Sequence, residues 1–201
     1  TIGKEALAAV GATGSITFLI IGFAQGLTAG LSIITAQRFG AQDFRGVKKS
    51  FAVAIIISFT VTAILTVLSL VFLRPLLLLM QTPPDIIQQA QEFISVILGG
   101  MFASMAFNLL SNMIRALGDS RTPLFFLIFA VIINVILDLV FIINFHMGIA
   151  GAGYATVIAQ ISASLMRVIY IKRKIPLLQV SKSDFKIDKD TIFTHLNAGL
   201  P

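Results

Sequence analysis

The chain has 201 residues, 57% of them hydrophobic and only 12% charged, with a mean hydropathy of +0.95. That is too apolar for a soluble domain to hide in one core, so membrane lipid is expected to be its solvent. The formal net charge of +6 does not point to nucleic acid, because the basic residues sit in short clusters between long apolar runs and form no stripe interleaved with aromatics.

A membrane span needs roughly 20 mostly apolar residues, and five stretches qualify: 11–36, 50–80, 88–113, 123–145 and 150–171. The predicted fold class is all-α, a polytopic transmembrane helix bundle. Breakers separate the spans: Gly40 to Gly46, Gln81 to Asp85 with Pro83-Pro84, Gly118 to Pro123, and Gly148, Gly151 and Gly153 in one turn. Basic loops stay on the cytoplasmic side. Arg38, Arg45, Lys48 and Lys49 follow the first span, Arg115 and Arg121 the third, and Lys172, Arg173 and Lys174 the fifth. Residue 1 is therefore expected outside a cell membrane and the C-terminal segment inside it. The odd span count with an outside start, and an apolar run cut short at Pro201, read as a fragment with an upstream helix missing. Its expected division is 1–176, transmembrane, and 177–201, a charged linker leading to a further span.

In the first span, Gly22, Gly26 and Gly30 recur every four residues and let another helix approach closely, for packing or as a hinge. Gln25, Thr28, Ser32 and Thr35 lie among them, either lining a polar cavity or making helix-to-helix hydrogen bonds. Met101 and Met105 in the third span are candidates for a promiscuous apolar surface, or for packing. The elbow Gly118-Asp119-Ser120-Arg121-Thr122-Pro123 suits a helix end and a helix start, with Thr122 as N-cap and Pro123 in the first turn. Arg115, Asp119 and Arg121 form a candidate ion-pair cluster there.

The feature most in need of explanation is Asp138, the one acidic residue deep inside a span, where a carboxylate ordinarily faces a bundle interior or cavity. Asn134 precedes it by four residues and shares its helix face. At 1.5 Å per residue Asp138 lies about 9 Å, and Thr156 on the next helix about 10 Å, from the same membrane face. A carboxylate, an amide oxygen and a hydroxyl can hold a small hard cation or share a proton. The bland alternative is a protonated Asp138 hydrogen-bonded for packing.

Enzyme templates find no match: there is no P-loop, no Rossmann glycine pattern, no nucleophile elbow and no metal-spaced His pair, so no catalytic residue and no organic cofactor are expected. The chain has no cysteine, and His146 and His195 fall in loop-like contexts without ligand-spaced partners.

Four stretches together resemble the multidrug and toxic compound extrusion (MATE) family of secondary transporters. They are Gln37-Arg-Phe-Gly40-Ala41; Arg115-Ala-Leu-Gly118-Asp119-Ser-Arg121-Thr122-Pro123; Asn134-Val-Ile-Leu-Asp138; and Gly148-Ile-Ala-Gly151-Ala-Gly-Tyr-Ala155-Thr156. The resemblance implies helices two to six of the first of two six-helix lobes, with 177–201 as inter-lobe linker and start of the seventh helix. It implies a Na⁺ or H⁺ site formed by Asp138, Asn134 and Thr156 with an Asp on helix one, which would lie upstream of Thr1. The implied partners are lipid, amphipathic small molecules, the missing first helix and the second lobe. Two rivals remain. A lipid-linked oligosaccharide flippase of the same superfamily needs basic residues in its cleft, and no span centre here carries one; a non-transporting membrane scaffold needs no ion site.

Overall fold

The computed structural model describes residues 4–79, 87–185, 192 and 195. The described residues form six α-helices: α1 Lys4–Gly40, α2 Phe44–Leu79, α3 Ile87–Gly99, α4 Met101–Ala116, α5 Arg121–Leu139 and α6 Gly148–Lys174. A π-helical turn, Val140–Asn144, continues α5, and two short 3-10 turns, Pro176–Leu178 and Lys182–Phe185, follow α6. The predicted breaker at Gln81 to Asp85 and most of the segment beyond Phe185 lie outside the described residues.

Three described helices are long and apolar enough to cross a membrane: Phe44–Pro75, Arg121–Asn144 and Ala150–Lys174. The expected third span is a broken one, because Ala90–Gly99 and Met101–Ala116 meet at a bend of 47°. The sequence expectation of one continuous helix over 88–113 is corrected at Gly99-Gly100, where the helix bends and Gly100 lies against Val157 so closely that a Cβ there would collide with it. The predicted first span, 11–36, falls on α1.

Two apolar clusters hold the bundle. The larger joins Leu27 and Leu31 of α1, Val47, Phe51 and Ala54 of α2, and Met105, Leu109 and Met113 of α4, and extends to Ile171 and Leu178. The smaller packs Leu73 and Leu77 of α2 on Ala90, Ile94 and Leu98 of α3. Between helices lipid supplies no hydrophobic driving force, so close approach of small residues matters more. On α6 that role falls to Ala155, Ala159 and Ala163, which are buried every fourth residue. Gly22 and Gly26, by contrast, face open space, so the stripe read in the first span is not used at those two positions by the described helices. α5 buries only Pro123 and Ala130 and packs chiefly on α6.

The loops between α1 and α2 and between α4 and α5 share one end with the basic C-terminus of α6, referred to below as the basic end. At the first loop Asp43 accepts from the Gly46 N–H at 2.8 Å and pairs with Arg38 at 3.1 Å. At the second, Gly118 turns the chain with φ +88°, a conformation that favours glycine. Asp119, not Thr122, starts α5: its Oδ1 accepts from the N–H groups of Arg121 and Thr122 at 3.1 and 3.0 Å. The helix begins at Arg121, two residues earlier than a Thr122 cap would allow. Asp119 forms no ion pair with Arg115 or Arg121 among the described residues; its second oxygen takes a long bond from the Tyr170 hydroxyl, 3.5 Å. Burial pushes the Asp119 carboxyl up, but donation from the side chain and N–H of Thr122, the N–H of Arg121 and Tyr170 outweighs it and holds the group below its ordinary value. His195 also departs from expectation: it is buried against α2, with Nε2 2.8 Å from Ser50 Oγ, which in turn lies 2.9 Å from Thr35 Oγ1.

Candidate functional site

The end of the bundle opposite the basic loops carries the residues expected to bind an ion. Asn134 Nδ2 donates to Thr156 Oγ1 at 3.3 Å, which sets Thr156 level with Asn134 rather than with Asp138, about one helical turn from the depth match expected from residue counting. The Thr156 hydroxyl donates to the Ala152 carbonyl at 3.0 Å, leaving its lone pairs free to accept from the amide. Asp138 sits one turn further along α5. Its Oδ1 is buried and has no hydrogen-bond partner among the described residues, so the bland alternative of a carboxyl satisfied by a neighbour is not what this oxygen shows. Two residues beyond Asp138 the helix widens into the π turn, a local change of hydrogen-bond register that recurs at functional sites. No group of three or more His, Cys, Asp or Glu gathers among the described residues, so the donors available here are hard oxygens on α5 and α6.

A belt of polar contacts links this pair to the rest of the lobe. Ser104 Oγ donates to Gln160 Oε1 at 2.5 Å, one turn along α6 from Thr156. Asn108 Nδ2 donates to the Ser104 carbonyl at 2.8 Å, and Asn112 Nδ2 to Thr28 Oγ1 at 3.1 Å, which carries the belt across α4 to α1. Sequence reading had singled out Thr28 but none of Ser104, Asn108, Asn112 or Gln160. The signal was there: 104, 108 and 112 repeat every fourth residue in an otherwise apolar helix.

Of the four candidate cleft-lining residues, only Gln25 is exposed. Thr28 is buried and bonded to the Ala24 and Gln25 carbonyls. Met105 sits in the larger apolar cluster, and Met101 is buried where its sulfur accepts from Thr66 Oγ1 at 3.5 Å. These three pack within the lobe because each points into a face shared by two or more helices.

The sequence reading also passed over Arg167. It lies seven residues before the end of α6, about 10 Å along the helix axis, and is fully buried. Its guanidinium stacks 3.8 Å from the Phe107 ring centroid and 5.5 Å from that of Phe126, and donates to the Phe107 and Pro123 carbonyls, each at 3.4 Å. Nε has no partner. Arg167 thus ties α4, α5 and α6 together at the basic end without a carboxylate.

Comparison with known proteins matches the MatE family model to residues 1–140, more than half of the chain. The chain belongs to the MatE family. A probable multidrug resistance protein of Bacillus subtilis, YoeA, is 30% identical over 207 residues, taking in all of this chain and 45% of that protein. Solved structures of a multidrug resistance MATE family transporter of the MOP superfamily are similar in both its inward-facing and outward-facing conformations. Each has a TM-score of 0.92 at 28% identity, covering 99% and 100% of this chain and 46% and 45% of theirs. The chain therefore spans under half the length of these MatE relatives, and its fold is that of a polytopic helical membrane protein of a transporter family rather than an enzyme.

Proposed function

We propose that the chain is the ion-coupling lobe of a transporter that exports amphipathic, often cationic compounds by alternating access, driven by inward movement of Na⁺ or H⁺. The observation that carries this reading is the buried, unpartnered Oδ1 of Asp138, one helical turn from the Asn134–Thr156 hydrogen bond. A charged carboxylate in an apolar span is costly, and a bound cation or proton removes that cost. Neutralisation at Asp138 then changes the free energy of whichever packing of α5 on α6 it accompanies, and a differential of a few kcal/mol is enough to shift a two-state equilibrium. The π turn beside Asp138 supplies a backbone that can change register.

The equal likeness to inward-facing and outward-facing structures supports a lobe that moves largely as one body, with the change concentrated at its edges. Gly22 and Gly26, open on the face of α1, suit the approach of a helix from outside this chain, either the missing first helix or the second lobe. With basic loops held inside, the end bearing Arg38, Arg45 and Arg121 faces the cytoplasm and the Asp138 end faces out. Four side-chain oxygens, two from Asp138 and one each from Asn134 and Thr156, fall short of the roughly six that a hard cation takes, so Na⁺ would draw further oxygens from outside α5 and α6, whereas a proton needs only one acceptor. Arg167 offers no support to the flippase reading, since it is enclosed by Phe107 and Phe126 and lines no cleft.

The test is dye efflux from vesicles containing the full-length parent protein, driven separately by Na⁺ and H⁺ gradients, with wild type beside Asp138→Asn. Gradient-driven efflux that disappears in the variant supports coupling through Asp138 and names the ion. Efflux undiminished by the substitution across a pH and Na⁺ series would sink it.

A further inference from the structure

One face of α4 is spoken for by the polar belt; the opposite face borders a long apolar groove. Ser104 and Asn108 point one way, and at 3.6 residues per turn Ala106 and Leu110 point the other. There, between α2, α4 and α6, lies a cavity of about 640 Å³, walled by Phe51, Ile55 and Phe59 on one side and Val168 on the other. A second cavity of about 370 Å³ shares Ala106, Leu110 and Val168 with it and continues to the Gly99-Gly100 bend. The two form one groove, within the size range of small-molecule sites. Its deeper half carries a single polar side chain, Ser164.

Three features say what fits this groove. First, it opens sideways: Phe59, Phe102, Ile161, Leu165 and Val168 at its rim are all more than a third exposed. A polar belt needs protein or a cavity beside it, whereas an apolar rim on the opposite side of the same helix suits hydrocarbon. Second, its end at the basic side is capped by Lys172, beside which Gln179 donates to the Lys172 carbonyl at 2.9 Å and holds the strap after α6 across the mouth. Third, Lys172 has no ion pair with a described carboxylate, and Arg173 and Lys174 follow it at once; the nearest acidic residue on the strap's far side, Asp184, faces Lys48 and Arg45. An apolar trough ended by a cation with no carboxylate partner among the described residues matches a molecule with an anionic head and a long hydrocarbon tail, and disfavours an amphipathic cation.

We propose that this groove is a binding site for one anionic phospholipid, its phosphate at Lys172 and an acyl chain laid along Phe59, Ala106 and Val168 toward the Gly99-Gly100 bend. Basic pockets between transmembrane helices are known physical solutions for holding anionic headgroups, and each lysine near such a group is worth about fivefold in binding. The groove does not include Asp138, so this site stands or falls independently of the coupling proposal.

The experiment uses the purified full-length parent protein in mild detergent, with phosphatidylglycerol and phosphatidylcholine of equal chain length, and counts retained lipids by native mass spectrometry. The expected result is a roughly fivefold preference for phosphatidylglycerol, lost in Lys172→Gln but kept in Arg173→Gln. Val168→Trp, at an exposed rim position, is expected to cut retention of that lipid, and a phosphatidylglycerol with a photoreactive acyl chain to label α2, α4 or α6 peptides around the groove. Equal retention of the two lipids by wild type overturns the proposal. So does an equal loss in Arg173→Gln, which would mean diffuse surface charge. Displacement of the lipid by tetraphenylphosphonium, a cationic amphiphile, would assign the groove to substrate instead and also overturn it.

Discussion

Asp138 and Arg167 are both charged residues within apolar helices, near opposite ends of the same α5–α6 pair, and their surroundings differ in kind. Arg167 is sealed by two aromatic rings and two carbonyls contributed by α4 and α5, and nothing further can reach it without unpacking three helices. Asp138 keeps a buried carboxylate oxygen without a partner, while its helix neighbour Asn134 is engaged with Thr156. The lesson is that burial of a charge does not by itself mark function. What separates the two is how far the fold has supplied partners: Arg167 has two carbonyls and two rings and lacks a described partner only at Nε, whereas Asp138 Oδ1 has none among the described residues.

The sharpest way to break that contrast is Asp138→Asn. It is expected to bring gradient-driven efflux down to background while leaving the thermal unfolding midpoint of the parent protein equal to or above wild type, because an isosteric amide removes a costly charge. A large loss of stability instead would make Asp138 a structural residue like Arg167. Next in size, Arg167→Ala is expected to destabilise the protein by about 3 kcal/mol, combining a lost desolvated cation–π contact with two carbonyls left without their donor. Arg167→Lys should cost about half as much, since an ammonium cannot stack flat on Phe107 while serving both carbonyls. Thermal unfolding in detergent measures both; an Arg167→Ala protein of wild-type stability that no longer transports would move Arg167 into the transport machinery.

Smaller effects sharpen the boundary between tie and site. Asn112→Val should cost about 1 kcal/mol through the lost bond to Thr28, with efflux scaling only with folded protein. Asp119→Ala should cost a similar amount, about 1 kcal/mol, through loss of the α5 cap. Its pH dependence has a definite sign. Because the native carboxyl is held below its ordinary value, its stabilisation is complete at neutral pH and is lost as pH falls through that lowered value. Wild type should therefore shed this increment only below about pH 4. Asp119→Asn, which still accepts the Arg121 and Thr122 N–H groups, should lack that acid step in a pH series of unfolding midpoints.

Much of the architecture was legible because lipid enforces it. Long apolar runs must become helices that satisfy their own backbone, and counting residues at a fixed rise brought Thr156 to the right stretch of α5, though against Asn134 rather than level with Asp138. What was not legible depended on neighbours distant in sequence. At the Gly99-Gly100 bend the space a side chain would need is taken by Val157, which lies 57 positions beyond Gly100. Thr28 of α1 turned inward because α4 packs over it, and Met101 and Met105 of α4 because α1, α2 and α3 do. Arg167 sits near the end of a helix that finishes in three basic residues, so by position it passes for the first of a solvated cluster; only Phe107 and Phe126 make it a buried tie.

The sequence by itself determined the solvent, the helical class, the approximate spans and the one carboxylate worth watching, since each follows from local composition and a regular helical rise. The tertiary structure alone decided which polar groups are satisfied. That is a property of side chains brought together from separate helices, and it leaves the Asp138 oxygen open, the Arg167 guanidinium enclosed, and one face of α4 polar where the other is a groove ended by Lys172.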